Sequence, residues 1–412
     1  MQKKYLIIIL LVILNIIFFN TLEKKKHYLS SKETIGIYMN DNATNKIPSK
    51  DNASFVKAVC DGDANYYWDN TNWGLFIGNL NKKIKCNLYF KSKDTITIGT
   101  KNFIIDEYNK CPQKYLNDEY NITSLEDEYG YFCETNDDYG TTYYYRGVGA
   151  NNNVYFANLY WQIIRINGDG SVRLLYNGTE KNAEGENKTI GKSQYNSIYD
   201  KPANAGYMYG SNLDTFENGI KNEVNSTIKV KVDKWYEDNL KNTLFEEYLT
   251  DTGFCNDRTL YSGNGLDSAM FNGLNRLINN KNPTLICPNK NNDLFTTSKS
   301  TIGNKSLTYP IGLMTADESL FAGSVDRVTL NKNSYLYSGD WYWVMTPMDY
   351  KYRSNNKAYS VRTYSIGLNG TDGNENLGTL VSSSYNIRPV INVKDNILNK
   401  GDGSVDNPFR IE

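Results

Sequence analysis

Leu159-Tyr160-Trp161-Gln162-Ile163-Ile164-Arg165-Ile166, Asn167-Gly168-Asp169-Gly170 and Ser171-Val172-Arg173-Leu174-Leu175-Tyr176 follow one another without a break, and this stretch decides the fold. Its two arms are rich in β-branched and aromatic side chains. The Asn and Gly residues between them supply turn dihedrals, so the pattern predicts an antiparallel hairpin. A calcium-binding loop would need acidic ligands at alternate positions and a distal Glu. The segment has neither, which leaves a plain turn.

Downstream of the hairpin, Ile228, Val232, Trp235, Tyr236, Leu240, Leu244 and Tyr248 recur at steps of three and four. That spacing predicts an amphipathic helix of about five turns whose apolar face packs on the core. Thr315-Ala316-Asp317-Glu318 then sets a Thr at an N-cap and a Glu three residues on. At this spacing, hydroxyl and carboxylate each satisfy the other's exposed backbone amide. Read as chemistry, Asp317 and Glu318 would be a paired-carboxylate site. Adjacent helical side chains point apart, however, and the capping box explains Glu318 without catalysis. On that reading Glu318→Gln is tolerated, because an amide can make the same reciprocal bond. Aromatic strands follow: Tyr335-Leu336-Tyr337, Trp341-Tyr342-Trp343-Val344-Met345, Ala358-Tyr359-Ser360-Val361 and, after a Gly/Asn-rich loop from 367 to 378, Tyr385 to Val393.

Upstream, short alternating runs at Ile35–Met39, Phe55–Cys60, Gly74–Ile77 and Cys86–Phe90 are punctuated by Asn, Asp and Gly, the pattern of a small all-β domain over 27–94. Residues 95–150 read as a mixed connector in which Phe103, Ile104 and Ile105 could open a helix and the acidic, Tyr-rich stretch through Asp137–Gly140 and Tyr143–Tyr145 looks like connector and strand, and 151–412 as the principal domain. Residues 1–26 carry Lys3 and Lys4, an apolar run from Tyr5 to Phe19 broken only by Asn15, and Lys24-Lys25-Lys26. No small-residue cleavage site follows, so an uncleaved signal-anchor is preferred to a cleaved signal peptide. Lysines on both flanks leave the orientation open.

The cysteines supply it. Six occur, Cys60, Cys86, Cys111, Cys133, Cys255 and Cys287, with no close CxxC pair of the kind zinc sites use. Wide spacings behind an export signal fit structural disulfides outside the cell. Pairing in sequence order keeps each bond inside one compositional segment. The expected location is thus the cell membrane, with a single N-terminal span and the bulk of the chain extracellular. With 45 basic and 46 acidic side chains there is no sustained field to hold nucleic acid. The 34 Tyr, alongside abundant Asn, Lys and Ile, partly reflect an AT-rich bacterial codon bias.

From about residue 154 to 393 the chain resembles an uncharacterised bacterial surface-domain family, DUF6273, itself similar to the formylglycine-generating-enzyme-like branch of the C-type lectin fold. The matching phrases are Tyr160–Ile164, Val232–Tyr236, Ile311–Glu318, Trp343–Pro347 and Ile387–Val390. The resemblance implies an α+β architecture: a membrane helix, a small all-β domain, then a mixed α/β domain with a twisted antiparallel sheet and long display loops. Oxidising members of the enzyme branch use cysteines near the final strands. Here the last one is Cys287, so no residue inherits that role.

The only histidine, His27, lies beside the N-terminal apolar run, which removes the usual base from any nucleophile triad and rules out histidine-ligated zinc in the folded part. No phosphate-binding glycine loop is found, and no cofactor or metal site is expected. The leading expectation is non-catalytic binding of a glycan, cell-wall or protein ligand, with the membrane itself as the other partner. Trp341, Tyr342, Tyr350 and Tyr352 are the candidate ligand-binding residues, since amphipathic rings stack on sugars and anchor protein partners. Trp343 is assigned to the core. The alternatives are a spacer without specific ligand and a hydrolase using two carboxylates.

Overall fold

The computed structural model describes residues 33–39, 42–50, 53–61, 65–69, 72–78, 84–92, 111, 130–280, 282–298, 302–323, 334–353, 358–366, 379–395 and 397–411. The chain divides into two compact units, Met1–Thr97 and Ile98–Glu412.

In the first unit, the Glu33–Met39 strand pairs in parallel with Ile84–Ser92 and antiparallel with Asn42–Thr44, and Ala53–Cys60 closes the other edge of the sheet. Ala53, Leu88 and Phe90 form its small core beneath Trp68, Trp73 and Leu75. Cys60 and Cys86 occupy directly paired positions and are joined by a disulfide.

The second unit is built on the expected hairpin. Leu159–Ile166 pairs antiparallel with Val172–Tyr176, with a bulge at Ile164, and Asn167 N–H closes the turn on Ser171 O. Around it the sheet runs Ile311–Leu313, Pro389–Val393, Val172–Tyr176, Leu159–Ile166, Gly140–Arg146, Tyr131–Asp137, with Asn153–Phe156 and Phe409–Arg410 added at one end. A second sheet gathers Lys192–Gln194, Ser384–Asn386, Tyr342–Arg353, Ser268–Phe271 and Leu260–Gly263, with Ala358–Ile366 and Thr379–Leu380 beside it. Every residue of Val172–Tyr176 and Pro389–Val393 is buried, so the middle of the first sheet is covered on both faces. Trp161, Tyr176 and Trp235 form one aromatic cluster with ring centroids 5.3–6.2 Å apart. Such edge-to-face pairs contribute about 0.5–1.5 kcal/mol each beyond the area they bury. Trp343 is in the core, its indole N–H donating to Ser193 O.

Several expectations are corrected. The structure is mostly β, 39% strand against 16% helix, rather than α+β. The long periodic segment stops as the helix Thr227–Asn239, capped by Ser226, because Asn242 turns the chain with φ of 59° before a short 3-10 turn at Glu246–Tyr248. The Tyr-rich stretch read as connector and strand does form strand: Tyr131–Asp137 and Gly140–Arg146 make a hairpin that pairs onto Leu159–Ile166, as their Thr- and Tyr-rich composition favours. The anticipated membrane helix over 1–26 lies outside the described residues, as do Phe103–Ile105 and the loop from 367 to 378. Among the described residues no helix is long and apolar enough to cross a membrane. The single N-terminal span, and the membrane location that rested on it, therefore lack support; the apolar run is itself short of the ~20 residues a bilayer wants.

Cysteines pair in sequence order throughout: Cys60–Cys86, Cys111–Cys133 and Cys255–Cys287.

Candidate functional site

Two polar regions flank the first sheet of the second unit. One surrounds the capping box. The Ala316–Phe321 helix begins as expected: Glu318 N–H donates to Thr315 Oγ1 at 3.1 Å, and Thr315 N–H donates to Glu318 Oε2 at 2.8 Å. The other carboxylate oxygen, Oε1, lies 3.1 Å from Arg165 Nε and 2.7 Å from Arg173 Nε. Burial opposes ionisation of Glu318, but the guanidiniums of Arg173 and Arg165 outweigh it and hold the carboxyl below its usual range. Burial lowers Arg173 to about 10 despite Glu318, while its guanidinium stacks 4.4 Å from the Phe254 ring centroid. Arg165 also pairs with Asp137.

Asp317 points elsewhere, accepting two bonds from Arg276 at 2.7 and 2.9 Å and one from Thr284 N–H, while Asp257 takes Arg276 Nη1 at 2.8 Å. The carboxylates of Asp257, Asp317 and Glu318 are thus each engaged by arginine. Among the described residues no group of three or more His, Cys, Asp or Glu could hold a metal ion.

The second region is a small open cleft of about 210 Å³, below the roughly 300–1,000 Å³ of drug-sized ligand sites. It lies where Leu159–Ile166 begins and Val172–Tyr176 ends. Gly149 and Asn153 line it together with Lys181, Asn182, Ala183 and Lys188, and with Ser334, Tyr335 and Val405, while Tyr160, Gln162 and Asn177 rise from the sheet.

Its floor rests on Arg388, which is wholly buried. Arg388 Nε donates to Tyr176 O at 2.9 Å and Nη1 to Leu336 O at 3.0 Å. Nη2 donates to Gln162 Oε1 at 3.3 Å and Asn177 Oδ1 at 3.1 Å. All four acceptors are neutral. Burial lowers Arg388 from the ordinary arginine value, with the Tyr342 ring, 5.2 Å from the guanidinium, acting in the opposite sense.

Because a guanidinium can only donate, it fixes which end of each amide faces it. The oxygens of Gln162 and Asn177 turn inward, and their NH₂ groups turn away toward the cleft that both side chains line. Gly149 permits this: a Cβ there would stand 2.9 Å from Gln162 Nε2. Lys188 adds a third donor. Its ammonium gives one bond to Tyr337 O at 3.0 Å, and burial, helped by Arg388 and opposed by Glu184, pushes it down to about 8. Half-buried Tyr160 presents a ring beside these donors, packed 5.0 Å from Tyr155.

The aromatic residues singled out from sequence are placed differently. Tyr342 and Tyr350 are buried, and their hydroxyls donate to the Leu336 and Asp200 carbonyls, so neither ring offers a stacking face. Trp341 is half-buried, 6.5 Å from Tyr385. The backbone of Tyr352 continues the Tyr342–Arg353 strand, while its side chain lies outside the described residues. Residues Tyr342–Tyr350 of this strand are buried, which takes up two of the rings that the sequence suggested for display. The cleft residues Gln162, Asn177, Lys188 and Arg388 were not anticipated. The available signal was a polar side chain set inside an apolar β run, as in Trp161-Gln162-Ile163 and Ile387-Arg388-Pro389.

No family model, curated protein or solved structure matches this chain.

Proposed function

We propose that the second unit is a non-catalytic glycan-binding domain that takes its ligand in the Tyr160–Lys188 cleft. The observation that carries this is the pair of amide NH₂ groups held outward by Arg388, because donors fixed before the ligand arrives are what an oxygen-rich solute needs. Tyr160 supplies the amphipathic ring that suits a sugar face. Two of the phrases behind the resemblance to the DUF6273 family, Tyr160–Ile164 and Ile387–Val390, meet at this cleft. Three disulfides suit a protein working in an oxidising compartment, where free glycans and cell-wall polymers are encountered. Hydrolysis is the weaker reading, since Asp257, Asp317 and Glu318 are each engaged by arginine.

The test is titration of the full-length chain against a panel of neutral and acidic oligosaccharides, with Tyr160→Ala alongside. Saturable binding weakened at least about tenfold in Tyr160→Ala, the scale of one aromatic contact, is the expected result. Absence of saturable binding across the panel overturns the glycan reading.

A further inference from the structure

Resting on the glycan reading of the cleft, we infer that its ligand carries a carboxylate, as a uronic acid or a lactyl-substituted amino sugar does, and that Lys188 with the Gln162 and Asn177 amides holds that group.

The charged side chains lining the cleft are all of one sign. Its lining contains Lys181 and Lys188 and no acidic side chain. Lys181 is matched at the rim by Asp406, whose side chain is 92% exposed. Lys188 makes no ion pair among the described residues; its bond goes to a carbonyl. Gln162 and Asn177 offer NH₂ groups because Arg388 holds their oxygens. A neutral sugar hydroxyl needs donors and acceptors in roughly equal number, whereas a carboxylate only accepts, with about four lone-pair positions.

The long-range field points the same way. Arg388 is fully buried, and its four hydrogen bonds end on neutral oxygens. Its positive charge is passed through the two amides, whose dipoles lie with the positive end toward the cleft. A buried cation unmatched by a carboxylate costs stability, which an anion placed just beyond the amides recovers. Glu184, which faces Lys188 from its own loop, is exposed to solvent.

The measurement is calorimetric titration of the full-length chain with oligogalacturonate and with its methyl ester, and with muramic-acid-containing and plain N-acetylglucosamine oligosaccharides. The acid of at least one pair should bind at least about tenfold more tightly than its neutral partner, the scale of one charge-assisted hydrogen bond. Lys188→Gln should erase that difference by weakening the acid at least about tenfold more than the neutral sugar, with the melting temperature recorded to establish folding. Equal binding of acid and neutral partners overturns this inference and leaves the glycan reading intact. No binding by any member of the panel overturns the glycan reading itself.

Discussion

Arg165 and Arg173 stand directly opposite each other on paired strands, and a single carboxylate oxygen, Glu318 Oε1, lies within 3.1 Å of one Nε and 2.7 Å of the other. Like charges at opposed positions destabilise a sheet. The helix-capping carboxylate reverses that sign, so the capping box is also the electrostatic closure of the sheet.

Glu318→Gln separates the two roles. The amide keeps the reciprocal cap, but it leaves two buried guanidiniums with one fewer anion between them. We expect a loss on the order of 3–5 kcal/mol, as for removal of one partner of a buried ion pair, measured by urea unfolding. Thr315→Ala removes only the cap and should cost about 1 kcal/mol. Equal, small losses in both would mean that the arginines do not depend on Glu318.

Acid unfolding reports the same group. Its folded-state carboxyl sits below the ordinary value of 4.5, so its contribution is fully present above that value and is lost as pH falls through the lowered folded one. Urea midpoints from pH 7 down to pH 3 should therefore fall for the parent chain. The slope should be shallower in Glu318→Gln, where the titrating carboxyl is gone.

Gln162→Glu puts the cleft and the fold in opposition. A carboxylate at this position pairs with Arg388 Nη2, now 3.3 Å from the amide oxygen. It also removes the outward NH₂ and adds a negative charge beside the ligand. Thermal unfolding should show stability maintained or raised, by up to about 1–3 kcal/mol, while affinity for an acidic saccharide drops at least about tenfold. Retained affinity in a stable Gln162→Glu protein would remove the amide from the site.

Binding of an acid should weaken as pH rises through about 8, the value to which burial and Arg388 bring Lys188 while Glu184 resists. Only the ammonium form attracts the carboxylate, in a cleft whose other nearby charged groups are Arg388, Lys181 with Asp406, and Glu184. For stability the sign is opposite: a lysine lowered in the fold adds stability as pH rises from about 8 toward its ordinary 10.5. Titrations at pH 6.5 and 9 read the first effect, and urea midpoints at pH 8 and 10 the second.

Local signals were read well from sequence and long-range ones were not. The hairpin at Asn167–Gly170 and the cap at Thr315 are written in residues four or fewer apart, and both formed as expected. The disulfide order followed from segment composition. The cleft joins residue 162 to residue 388 through an arginine, and nothing in either neighbourhood names the other. In the aromatic run near Trp341 a two-residue period tells which rings share a face but not whether that face meets solvent. Tyr342 and Tyr350 face packed neighbours instead.

The strand Pro389–Val393 sits in the sheet between Val172–Tyr176 and Ile311–Leu313. Arg388 reaches back to the Tyr176 carbonyl across 212 residues of chain. At synthesis rates of about 5–20 residues per second, the Leu159–Tyr176 hairpin waits roughly 10–40 s before its neighbour exists. During that interval Val172–Tyr176 presents an open apolar edge. The chain therefore has a long window in which an unpaired strand must be kept from other chains. Its yield in a cell is governed by what shields that edge as much as by the stability of the finished sheet.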